Sequence, residues 1–149
     1  MVDVADAAMG LLRTRGGVPA SRTVLLGQSL GTGIASALAV RGAGARVALM
    51  SPFRSIPAVA SALFPFLPVN ALVRDRFDTE SLGARITLPV LVIHGTDDTL
   101  ITPSGGRRTA ELIPGAELMI VTDMGHDRPE PLWPILWDAI ETHTARVRD

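Results

Sequence analysis

The chain has 149 residues, 47% of them hydrophobic and 19% charged, with a formal net charge of −1 and no cysteine. That length and balance suit one globular domain with a real core, and the near-zero charge leaves no footprint for nucleic acid or an anionic membrane surface. Every basic residue is arginine, so a phosphate-loop lysine and a catalytic lysine are excluded, as are disulfides, thiolate metal sites and a cysteine nucleophile.

Asp3 can cap a first helix that carries Ala5, Ala8, Met9 and Leu12 on one face and stops at Gly16-Gly17, ahead of Pro19. Asp3 and Asp6 stand where a secretion signal would want positive charge, which predicts a cytoplasmic protein. Residues 22–28 read as a first strand, Leu30 to Arg41 as an Ala- and Gly-rich helix able to approach it closely, and Arg46 to Met50 as a second strand. Both strands are continuous apolar runs, the pattern of a parallel sheet covered on both faces.

Ser55 to Val73 carries no charge and is long enough to span a bilayer. Pro57, Pro65 and Pro68 argue against a straight spanning helix. The whole of 52–82 holds all four phenylalanines and follows neither a helical nor a strand period, so it reads as a small lid-like insertion. It is either an irregular connection with apolar anchors or a pocket wall to which Phe53, Phe64 and Phe66 contribute.

Val90 to His94 is a third strand, Pro103 opens a helix to about Ile113, and Glu117 to Val121 is a fourth strand. Pro131 starts the last helix, with Leu132, Leu136, Ala139, Ile140, His143 and Val147 on one stripe. Strands alternating with helices imply parallel βαβ units. The fold class is α/β, a mostly parallel sheet of about four strands flanked by helices, forming one domain over residues 1–149.

Three segments carry the chemistry. Gly27-Gln28-Ser29-Leu30-Gly31 places a serine on a strand-to-helix turn, with glycines where the turn leaves no room for a Cβ. A hydroxyl is unreactive at neutral pH unless a base takes its proton. His126, beyond the last strand, can serve as that base, and Asp97 or Asp98, after the third strand, as the acid that orients it. His94 reads as structural, His143 as surface or interfacial, and Asp123 and Asp127 as solvated or capping. Gly31-x-Gly33 could begin a dinucleotide fingerprint, but Ser36 takes the third glycine position and no acid ends the second strand. The spacing of His94, Asp98 and His126 calls for no metal, and no cofactor is implied.

The order serine, acid, histidine, each after a strand, resembles the α/β-hydrolase family from about residue 2 to the C-terminus. The resemblance implies a truncated version of that fold, beginning in the helix before strand five, with strands one to four unmatched. In the family turn Gly-x-x-Asp, counting from Gly95 selects Asp98 as the acid and leaves Asp97 as the alternative. The expected activity is that of a serine hydrolase cleaving a small-molecule ester or acyl bond, with Ser29 as nucleophile, His126 as base and the Leu30 amide in the oxyanion hole. The alternative expectation is a catalytically weak half-sheet module that binds or assembles. Its unmatched first strand is an apolar edge through which a homo-oligomer could form.

Overall fold

The computed structural model of the chain describes residues 1–73, 77, 79–127 and 132–145. Helix α1 (Val2–Thr14) leads through a short 3₁₀ turn into β1 (Val24–Gln28), α2 (Leu30–Val40) and β2 (Arg46–Met50). Three short helices follow, α3 (Ile56–Leu63), α4 (Val69–Leu72) and α5 (Thr79–Gly83). Then come β3 (Val90–Gly95), α6 (Pro103–Leu112), β4 (Glu117–Val121) and α7 (Trp133–Ala145). Pro131 and Val147, predicted to belong to the last helix, lie outside the described residues.

The four strands are parallel and lie in chain order, β1-β2-β3-β4. Right-handed crossovers that always step the same way along a sheet must all pass over one face. Accordingly α1, α2 and α6 cover one side, where Met9, Leu25, Leu38, Val47, Val92 and Ile113 form a core. Among the described residues α7 covers the other side, setting Leu136 and Ile140 against Met50, Leu91, Ile93 and Val121. Each cluster joins side chains that alternate along the strands, as the pleat requires.

Both faces are covered, as expected, and the expectation is corrected only along β1. Along β1 burial alternates, and Val24 and Leu26 are 38% and 44% exposed. They point to the α7 side of the sheet, where α7 packs on β2, β3 and β4. His143 is also corrected: it lies on the inward face of α7 with Leu136 and Ile140 and is buried.

The lid-like segment is more helical than its sequence pattern suggests. Ser55 caps α3 by accepting a hydrogen bond from the Ala58 amide (3.2 Å), and Pro57 sits in the first turn, where its missing N–H costs nothing. Proline thus starts this helix instead of breaking it. Arg54 bonds Glu80 at 2.8 Å, and Arg108 of α6 approaches the same carboxylate at 3.4 Å, tying the two ends of the segment to α6.

Candidate active site

All the candidate groups lie beyond the carboxyl ends of the strands, where an open parallel sheet leaves its loops free to converge. Backbone bonds carry the ladder past the strand ends, from the Ser29 amide to the Met50 carbonyl (2.9 Å), from Ser51 to Ile93 (2.9 Å) and from Asp97 to Met124 (3.0 Å). Each loop is therefore pinned to its neighbour before its side chain is placed.

Ser29 has φ 48° and ψ −119°, outside the regions open to an ordinary L-residue. A strained setting of this kind costs on the order of 1–3 kcal/mol and persists only where the surroundings fix it. Here Thr32, fully buried, donates both its amide (2.9 Å) and its hydroxyl (2.6 Å) to the Ser29 carbonyl. A Cβ on Gly27 would stand 2.5 Å from the Gly31 carbonyl oxygen, so the strand glycine is what lets the turn close. Gly31 is different: its Cβ would meet open space. The expectation that both glycines relieve crowding holds only for Gly27, because Gly31 lies toward the free edge of β1, where it lines a groove with Leu25, Leu26 and Ile34.

Ser29 and His126 are 97 residues apart in sequence, yet Ser29 Oγ lies 2.9 Å from His126 Nε2. His126 Nδ1 lies 2.8 Å from Asp98 Oδ2. An ionised carboxylate only accepts, so Nδ1 is the donating nitrogen and Nε2 is left to accept from the hydroxyl. Gly95 allows this approach, since a Cβ there would overlap the Met124 carbonyl and push the histidine loop off β3.

Asp98 is buried, and its Oδ1 accepts from the amides of Leu100 (3.1 Å) and Ile101 (2.8 Å). Burial alone would raise its pKa. The bonds from His126, the Ile101 amide and the Ser51 hydroxyl, with the attraction of a charged His126, outweigh burial and hold the carboxyl below its ordinary value. Asp97, by contrast, is exposed and takes its bond from Thr96 Oγ1 (2.7 Å). Asp123 and Asp127 are exposed too. His94 is buried behind Asp98, with Nε2 donating to the Ile101 carbonyl at 2.7 Å.

Beside Ser29 opens a cavity of about 230 Å³, walled by Leu30, Phe53, Ile56, Val59, Phe64 and Leu100. Phe66 is not part of it. It follows Pro65 in the turn between α3 and α4 and is 97% exposed, which corrects its expected place in the pocket. The cavity adjoins a wider groove of about 520 Å³, where Arg54, Glu80 and Arg108 bring charge. Sequence reasoning missed Thr32 and Ser51, although a serine directly after an apolar strand, as at Ser51, was a readable signal.

A parallel sheet with a strained serine after one strand, an acid after a later one and a histidine after the last has the architecture of the α/β-hydrolases. The comparisons agree. The esterase of Thermogutta terrifontis superposes with a TM-score of 0.73 at 20% identity, over 97% of this chain and 72% of that one. The enol-lactonase of Burkholderia xenovorans LB400 gives 0.68 at 21% identity, over 93% of this chain and 70% of that one. By sequence the chain is 41% identical to human alpha/beta hydrolase domain-containing protein 17C over 123 residues, 82% of this chain and 36% of that protein. It is 33% identical to an uncharacterized protein of Mycobacterium tuberculosis over 138 residues, 91% of this chain and 49% of that protein. No family model matches the chain. The chain belongs to the α/β-hydrolase superfamily, matching the half of the fold that runs from the helix before the nucleophile strand onward. It spans about half or less of the length of these two curated relatives.

Proposed function

We propose that the protein is a serine hydrolase that cleaves an ester or acyl bond through an acyl-enzyme. The observation that carries this reading is the unbroken relay from Ser29 Oγ through the His126 ring to Asp98 Oδ2, at 2.9 Å and 2.8 Å. In the proposed reaction Ser29 Oγ attacks the carbonyl carbon as its proton passes to His126 Nε2. The leaving alcohol departs with that proton, and His126 then deprotonates the water that frees the acid and restores the serine. Asp98 holds the ring in the required tautomer and stabilises the imidazolium. The Leu30 amide, in the first turn of α2 and without an intrahelical partner, is the donor offered to the developing oxyanion.

The apolar cavity beside Ser29 supports an acyl or aromatic group as the part of the substrate held next to the scissile bond. The printed identities of the structural neighbours, an esterase and an enol-lactonase, support carbon–oxygen acyl chemistry. The test is labelling with a fluorophosphonate probe, followed by a screen of esters graded in acyl length. Ser29→Ala and His126→Ala should each abolish labelling while leaving the fold intact by circular dichroism. A folded parent chain that takes no label would refute the reading.

A second reading, a catalytically weak module that binds or assembles, draws on one observation, the open apolar edge of β1 at Val24 and Leu26. Its consequence for oligomeric state is separable from catalysis.

A further inference from the structure

We propose that Ser51 and His94 are positioning residues that hold the Asp98 carboxylate in the one setting from which it grips His126. The proposal rests on the hydrolase reading above for its kinetic consequence, though not for its geometry.

Ser51 follows β2 directly and is fully buried, with φ 48°. A non-glycine residue is held in that region only where something fixes it there. Its amide is committed to the Ile93 carbonyl at 2.9 Å, and its hydroxyl is among the groups that hold the Asp98 carboxyl below its ordinary value. The strained backbone is thus tied to β3 by its amide, and its side chain acts on the acid.

His94 works from the other side. Its Nε2 lies 2.7 Å from the Ile101 carbonyl and 3.3 Å from Asp98 Oδ2, while the Ile101 amide donates to Asp98 Oδ1 at 2.8 Å. The ring therefore anchors the very residue whose amide anchors the acid. It closes a loop from the end of β3 through Ile101 and Asp98. Its Nδ1 is buried and has no hydrogen-bond partner among the described residues. Gly106 of α6 has no Cβ to spare for the ring, since one would stand 2.5 Å from Nδ1. A core filler would be an aliphatic side chain, which strands no nitrogen and needs no glycine in the facing helix. What the imidazole adds is the bond to Ile101 and the contact with Asp98.

The experiment measures two things in the same proteins: the rate of fluorophosphonate labelling, and the downfield proton resonance of His126 Nδ1–H, assigned by its loss in His126→Ala. Ser51→Gly removes the hydroxyl while relieving the backbone strain, so it keeps the test open should Ser51→Ala fail to fold. His94→Leu removes the polar ring, and His94→Gln returns an N–H within reach of the Ile101 carbonyl. Ser51→Gly and His94→Leu should label about 10- to 100-fold more slowly at unchanged probe affinity, the penalty of a misplaced catalytic group. The resonance should be displaced or lost in both, and His94→Gln should restore rate and resonance together. Folded Ser51→Gly and His94→Leu that label at the parent rate, with the resonance unmoved, would overturn the proposal. If the parent itself takes no label, the hydrolase reading fails alone, and the resonance decides: displaced in both variants it sustains the clamp, unmoved it overturns it.

Discussion

Around Ser29, adjacent glycines carry different loads, and single substitutions can separate them. Gly27→Ala drives a Cβ into the Gly31 carbonyl, a backbone contact that cannot swing aside. It should cost about 1–3 kcal/mol in urea unfolding, as overpacking does, and should slow labelling by disturbing the turn. Gly31→Ala meets open space inside a helix and should stay within about 1 kcal/mol of the parent, on the stable side. Asp98→Asn keeps the size of the acid but removes its charge and gives His126 Nδ1 a donor to face. It should lower the labelling rate on the order of 10³- to 10⁴-fold, whereas Asp97→Asn, on the exposed neighbour, should leave the rate near the parent value.

At the level of elements, α7 carries a pH-dependent share of the stability. Burial, reinforced by the charge of Arg46 and opposed by Glu117, pushes the His143 pKa below its ordinary value of 6.5. In the window from about pH 6.5 down to the lowered native value, the unfolded chain binds a proton that the native ring resists. Stability is thus fully present above that window and falls with pH inside it. The urea midpoint should drop between pH 7.5 and pH 5.5, and drop less in His143→Leu. An equal drop in the two proteins would remove His143 as the cause. Asp98, whose pKa is lowered from 3.8, acts in a separate and more acid window, contributing stability above it that is lost as pH falls through the native value. On the opposite side of the site, α3 shows how a proline-rich segment can still be helical: Ser55 caps it and Pro57 lies in the first turn.

For the molecule as a whole, the outer side of β1 is left partly open among the described residues. Val24 and Leu26 project there from a strand with one unpaired edge. If the edge pairs with a second copy, the parent should elute from gel filtration at about twice the monomer mass, and Leu26→Lys, which charges the edge, should elute as a monomer. Equal elution of the two proteins at the monomer mass would remove the assembly reading. Labelling of the Leu26→Lys monomer then reports whether the relay depends on that association. No helix among the described residues is long and apolar enough to cross a membrane.

By itself the sequence determined the α/β order of elements, the parallel sheet and the turn that carries Ser29, because these follow from local periodicity and from glycine and proline placement. It also placed Ser29, the Asp97-Asp98 pair and His126 after the first, third and fourth strands, a matter of chain order alone. Only the tertiary structure decided the rest. It buried Asp98, which the resemblance had already selected, and exposed Asp97. It turned His143 inward and Phe66 outward, and it set Ser51 of the neighbouring strand end near the carboxylate that His94 approaches from four residues upstream. Burial and the pairing of strand ends depend on residues far apart in sequence, so no local pattern of residues encodes them.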